Sequence, residues 1–397
     1  MNVVVFILLL LWASLAAAED DVLTFHPAHW VDGEDIEPTF YVSPFRALAF
    51  PSPTEGWMVG ERYVLHVHGD RLEVAFVELW ESLNSLSFSS PAVGWASSSH
   101  QESGPIRGYR SGVWRRDPLP GIGWPHWSVG RVMAGASGEA WAFASFSESV
   151  PSDLAFPKTS RAILHHDGSR WSVDEKLLAG RADTRLMDAC QRPDGSWWFV
   201  GATRSPASAM AMALMRWDGT TLQTVVGPTD QSERSYLGEV RCLPDGTAWA
   251  VGGLRSTTGQ PAEILVLRFT TSWERVPVPA FFPREATAGA LAPVSAGEVW
   301  LAASCDGGLR PECCARFLHY RDGTWETVGV PPMPGGRCTK VTVGDMQFVS
   351  PDEGWAVGTD LEPRLGGGRI FHYKNGSWRL RNWNWHFWDA PWFNLFG

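Results

Sequence analysis

Apolar residues in this chain come in short runs cut by Gly, Pro, Asp and Asn. Short apolar runs bounded by turn formers predict β-strands rather than helices. One phrase recurs along the chain. It reads Glu55-Gly56-Trp57-Met58-Val59-Gly60, then Val93-Gly94-Trp95-Ala96, Glu139-Ala140-Trp141-Ala142, Trp197-Trp198-Phe199-Val200-Gly201, Ala248-Trp249-Ala250-Val251-Gly252, Val299-Trp300-Leu301-Ala302 and Glu353-Gly354-Trp355-Ala356-Val357-Gly358. The seven copies run over 298 residues from Trp57 to Trp355, a period of about 50. Self-similarity at such a period marks a repeat architecture.

A second phrase follows each copy: an apolar residue, His or Arg, an aromatic, a turn, then Trp. Clear cases are Leu318-His319-Tyr320-Arg321-Asp322-Gly323-Thr324-Trp325 and Phe371-His372-Tyr373-Lys374-Asn375-Gly376-Ser377-Trp378. Asp-Gly and Asn-Gly accept positive φ and favour two-residue hairpin turns. Each period therefore predicts four strands: A before the Trp phrase, B carrying it, C carrying the His/Arg position, and D starting at the second Trp. Four antiparallel strands per repeat indicate a propeller blade. The fold class expected is all-β, a seven-bladed β-propeller of four-stranded antiparallel blades over residues 45–382. One blade cannot bury both its faces alone, so the ring is read as a single unit.

These phrases resemble the photosystem II stability and assembly factor-like propellers, which are related to Asp-box sialidase-type repeats. The resemblance covers all seven repeats and implies fold more than function. Asp167-Gly168 and Asp322-Gly323 are adjacent pairs, whereas an Asp box has one residue between its Asp and Gly. The spacing from Tyr320 to Trp325 and from Tyr373 to Trp378 is also similar to kelch repeats.

Composition narrows the setting. Lys+Arg is 33 against 43 for Asp+Glu, a formal net charge of −10, and no basic run occurs. Nucleic-acid binding needs a positive field and is excluded as a reading. Residues 1–18 are an uncharged apolar run ending in small residues, which reads as a secretory signal peptide. Residues 19–44 are then an N-terminal segment and 383–397 a Trp-rich tail. The mature chain is expected to be exported (periplasmic, cell-surface or extracellular), without a transmembrane segment. In an oxidising compartment the six Cys read as disulfides. Cys190 and Cys242 lie in strand A of neighbouring blades, four and three residues before Asp194 and Asp245. The one-residue offset turns them to opposite blade faces, so they are expected to form an interblade disulfide. Cys305 is expected to pair with Cys313 or Cys314, leaving the other for Cys338.

Candidate chemistry is sparse. His66, His165, Arg216, Arg268, His319 and His372 hold the strand-C position in six blades. That strand lies about 10 Å outside strand A, so these side chains diverge and cannot share one ion. They are read as an interblade hydrogen bond or stack, and neither a metal nor a cofactor is expected. No Gly-x-Ser-x-Gly elbow, His-Glu-x-x-His or sialidase Arg-Ile-Pro signature occurs, and no catalytic residue is assigned. The B–C loops are long and share a face with the D–A links, and loops on a rigid scaffold carry function. Candidate binding residues there are Trp124, His126, Trp127, Arg204, Arg255, Asp306 and Arg364. Asn375-Gly376-Ser377 is a glycosylation sequon that also suits a hairpin, and it is read as the turn. The aromatic tail is read as packing on the propeller. The function expected is an exported binding or assembly scaffold engaging a protein partner through the B–C/D–A face. The alternative is a carbohydrate-binding or carbohydrate-active, sialidase-like propeller, and a third reading is a purely structural surface protein.

Overall fold

Each predicted repeat is a four-stranded antiparallel sheet with its strands in chain order. The structure, a computed structural model, describes residues 26–31, 44–61, 63–69, 71–77, 82–98, 106–120, 126–147, 159–174, 177, 183–204, 210–228, 234–255, 263–279, 286–305, 316–329, 341–360 and 367–384. The A strands are Phe45–Ser52, Leu83–Ser90, His126–Ala134, Thr184–Gln191, Arg234–Cys242, Ala286–Ser295 and Val341–Ser350. The B strands are Glu55–Gly60, Val93–Ser98, Ala140–Ser147, Trp197–Arg204, Ala248–Arg255, Glu298–Cys305 and Glu353–Asp360. No helix among the described residues is long and apolar enough to cross a membrane.

The N-terminal segment contributes a strand. His26–Val31 pairs with the D strand of blade one, Arg71–Val77, and with that of blade seven, Ser377–Asn384. Blades one and seven thereby become one nine-stranded sheet, closing the ring at its rim. In this register Trp30 is the backbone partner of Trp383, inside what the sequence marks as the tail. Residues 1–25 and 385–397, with the expected signal peptide and the rest of the tail, lie outside the described residues.

The repeated Trp is buried because it fills the gap between blades. Trp57, Trp95, Trp141, Trp249 and Trp300 are all at most 1% exposed. The strand-C histidine opposite it stacks on one face: His66 on Trp57 at 4.2 Å, His165 on Trp141 at 4.1 Å, His319 on Trp300 at 4.1 Å and His372 on Trp355 at 3.8 Å. This contact lies within a blade, not between blades as expected. The crossing is made by the other face of the Trp, which takes a Phe from the next A strand. Phe88 stacks on Trp57, Phe348 on Trp300 and Phe50 on Trp355. The Gly before the phrase's Trp makes room, since a Cβ on Gly56, Gly94 or Gly354 would strike Phe50, Phe88 or Phe348. The C–D hairpins carry positive φ at Asp322-Gly323 and Asn375-Gly376, as the turn reading of the latter requires.

The interfaces between A strands repeat a two-layer pattern. In the inner layer, Ser85 Oγ, Asp188 Oδ2 and Asp345 Oδ2 accept the backbone N–H of Val132, Val240 and Leu48 on the next blade, at 3.1, 3.0 and 3.0 Å. In the second layer Ser87 Oγ accepts from Ala134 N, and Gln347 Oε1 from Phe50 N, both at 2.9 Å. Between blades four and five that second layer is the Cys190–Cys242 disulfide, with Cα atoms 5.6 Å apart. The predicted covalent link thus stands where other interfaces use hydrogen bonds. Cys305 ends strand B of blade six. Cys313, Cys314 and Cys338, and hence the pairing expected for them, lie outside the described residues.

Candidate functional site

Every A strand shares an irregularity in its pairing with strand B at the same place, and four carry a second beside the A–B turn. The register shifts just before Ala47, Ser85, Arg131, Asp188, Glu239, Ala290 and Asp345. The residue passed over is Gly in four blades: Gly130, Gly238, Gly289 and Gly344. A bulge re-aims the side chain that follows it. Here it delivers one residue per blade to a ring around the axis. Four members of the ring are charged, and Arg241, two residues beyond Glu239, joins them.

The charges form one network. Arg131 donates to Asp188 from Nε at 3.1 Å and from Nη2 at 3.3 Å. Arg241 Nη1 donates to Asp188 Oδ2 at 2.9 Å, and Arg241 Nη2 to Asp345 Oδ1 at 3.2 Å. Arg241 Nη2 also contacts Glu239, whose carboxylate lies 4.0 Å from Arg131 Nη2. Blade six contributes only Ala290 and Ala292 at the matching positions, so the Arg241 side chain passes blade six to reach blade seven. Asp188 is fully buried and Asp345 and Glu239 nearly so. Burial pushes the Glu239 carboxyl up to about 7, with Asp345 and Asp188 adding to the rise and the two arginines opposing it. Burial disfavours the charged Arg241 guanidinium, but Glu239, Asp188 and Asp345 outweigh it and hold Arg241 above its ordinary value.

This network floors a cavity of about 760 Å³ on the axis. Its lining begins at Arg131, Asp188 and Asp345 and runs along the A strands to Pro51, Ala136, Pro193 and Pro244, beside the A–B turns. The walls are largely apolar and include Phe50, Phe88 and Phe348. A volume in this range, with apolar walls and a few convergent polar groups, is that of a small-molecule site. Both aspartates on the floor are engaged: Asp188 accepts from Arg131, Arg241 and Val240 N, and Asp345 from Arg241, Leu48 N and Met346 N. Such carboxylates orient donors and hold charge. They are not the free acid and base that glycoside hydrolysis needs.

The cavity occupies the half of the channel away from the predicted binding loops. Arg204 and Arg255 end the B strands of blades four and five, and His126 and Trp127 begin strand A of blade three, all at the B–C/D–A edge. Arg204 is exposed, and Arg255 pairs in register with Arg234. Trp124, Asp306 and Arg364 lie outside the described residues. Among the described residues, Cys190 and Cys242 of the disulfide line the axial cavity, and none of the predicted binding residues does. The ring residues went unread in the sequence because they do not repeat in identity. Their signal is positional: each stands ten residues before the strand-B Trp, from Ala47 and Trp57 to Asp345 and Trp355.

No protein-family profile matches the chain, and no curated protein does. Among solved structures it is similar to a puromycin hydrolase, with a TM-score of 0.55 and 14% identity over 89% of this chain and 56% of that one. It is similar to an ancestral GH74 enzyme, with a TM-score of 0.55 and 10% identity over 89% of this chain and 47% of the other. A puromycin-hydrolyzing peptidase of Mycobacterium tuberculosis gives a TM-score of 0.51 and 12% identity, over 89% and 54%. The chain spans about half the length of these proteins. Likeness at such identities shows the propeller fold, which serves binding, scaffolding and carbohydrate-active proteins alike.

Proposed function

We propose that the chain is an exported carbohydrate-binding propeller whose axial cavity takes the end of a neutral glycan. The observation that carries this reading is the charge-balanced floor of an aromatic-walled cavity. Arg131 and Arg241 face Asp188 and Asp345, and the remaining carboxyl, Glu239, titrates near neutrality. A floor with little net charge gives an anionic or cationic ligand no large gain for its lost hydration. A polyol is matched by fixed donors and acceptors below and an apolar wall at the side. With the aspartates engaged by arginines, the reading is binding rather than hydrolysis. The resemblance of the blade phrases to Asp-box and kelch repeats supports it, and the Cys190–Cys242 disulfide fits an oxidising compartment.

A second reading keeps the protein partner on the B–C/D–A face. It is supported by Arg204 at one B-strand end and by Arg255 beside Arg234 at the next. One experiment separates the two. A glycan array followed by calorimetry is run on the wild type, on Ala136→Trp and on Arg204→Ala/Arg255→Ala. Ala136 is exposed and lines the cavity beside an A–B turn, so Trp there blocks the cavity without touching the ion network. The expected result is binding of a neutral oligosaccharide that Ala136→Trp abolishes and the arginine pair does not. Absence of any neutral glycan ligand, or binding that survives Ala136→Trp, overturns the cavity reading.

A further inference from the structure

We propose that Glu55, His66 and His68 of blade one form a Zn²⁺ site, separate from the axial cavity. His66 and His68 are two residues apart on strand C, Tyr63–His68, and so share a face of the sheet. Glu55 is the cross-strand partner of His68, at the start of strand B. One ligand atom from each lies within 4.8 Å of the other two. Glu55 Oε1 is already 3.0 Å from His68 Nδ1, and the two imidazole centroids are 6.2 Å apart. Metal–ligand bonds of about 2.0–2.1 Å in a tetrahedron set ligand atoms roughly 3.3 Å apart. The His68 side chain is 59% exposed and that of Glu55 33%, which leaves both room to turn toward His66, held in place by its stack on Trp57.

Comparison among the blades separates this cluster from the packing shared by the fold. A Glu beside the strand-C His recurs as Glu139/His165, Glu298/His319 and Glu353/His372, and that pair belongs to the blade. What differs is the residue two positions after the His. It is Asp167, Arg321 and Lys374 in blades three, six and seven, and His68 in blade one. In blade seven the Lys374 ammonium sits 3.3 Å from Glu353 Oε1, so that position supplies the carboxylate with a cation. Blade one puts a metal-ligating ring there instead. Two imidazoles and one carboxylate are a donor set suited to Zn²⁺, and three protein ligands leave one position for water. The site would clip strand B to strand C on the face toward which the axial cavity runs.

The test is calorimetric titration of the full-length, oxidised chain with Zn²⁺, with Co²⁺ absorbance as a probe of the ligands. The wild type is expected to bind one equivalent, with a rise in Tm that grows with metal concentration. His68→Ala and Glu55→Gln are expected to weaken binding at least tenfold with unchanged circular dichroism. His165→Ala, the blade-three counterpart, is expected to leave it unchanged. Equal binding by the wild type and His68→Ala overturns the proposal. So does a sulfur-to-cobalt charge-transfer band, which would place the ion on cysteine, or no binding up to about 1 mM, a free energy of only about −4 kcal/mol.

Discussion

Asp188→Asn is the sharpest test of the axial network. The substitution keeps shape and volume but removes one charge and turns one acceptor into a donor. In the wild type, Oδ1 faces Arg131 Nε, while Oδ2 faces Arg131 Nη2, Arg241 Nη1 and Val240 N. Every partner is a donor. Whichever way the amide is placed, its NH₂ meets at least one N–H, and two half-buried guanidiniums lose one of their counter-charges. Removing one partner of a buried pair costs about 3–5 kcal/mol, because the remaining charge stays desolvated. Asp188 joins blades three, four and five, so the loss is felt across the ring. For a ring running from Phe45 to Asn384, with an unfolding entropy of about 2.1 cal/mol/K per residue, that is a fall in Tm of about 4–7 °C. The assay is urea unfolding of oxidised protein at neutral pH, with calorimetry for Tm. Asp194→Asn is the control. Asp194 pairs with Arg192 at 2.8 Å and Arg216 at 3.3 Å, but its side chain is 46% exposed, so it should cost less than about 1 kcal/mol. If Asp188→Asn is no more damaging than Asp194→Asn, the axial charges are not a buried network and the reasoning fails.

Two further outcomes follow from the same axis. Replacing Cys190 and Cys242 together by Ala should cost about 4 kcal/mol from loop-closure entropy across a separation of 52 residues, measured by urea unfolding; a double variant as stable as the wild type would refute that. Glu239 gives a pH dependence: its carboxyl lies at about 7 in the fold against an ordinary 4.5, so between those values the folded chain holds the extra proton and stability falls as pH rises, by about 3 kcal/mol in all. Glu239→Gln should flatten that decline, and identical pH profiles for the two proteins would count against the assignment.

The loop candidates and the axial ring leave different marks in the sequence. Arg204 and Arg255 were found because long loops interrupt a regular pattern, and they do sit on one edge. The ring from Ala47 to Asp345 is not held by any one residue type, and its seven members are drawn from Ala, Ser, Arg, Asp and Glu. A search for repeated phrases passes over such positions, although their distance to the Trp is fixed.

The seven blades, the four strands in each and the Cys190–Cys242 link are all legible in the order of the residues. Those follow from local rules: hairpin turns announce themselves by Asp-Gly and Asn-Gly, and alternation along a strand assigns faces two residues at a time. Tertiary structure alone decided which side chains meet on the axis. A one-residue bulge in each A strand shifts that alternation, and the closure of the ring brings Arg241 to Asp345 across 104 residues of chain. It also decided how the ring is sealed, with His26–Val31 between blades one and seven. Pairing partners at that distance are set by where two sheet edges are left open, and no local pattern in either segment encodes it.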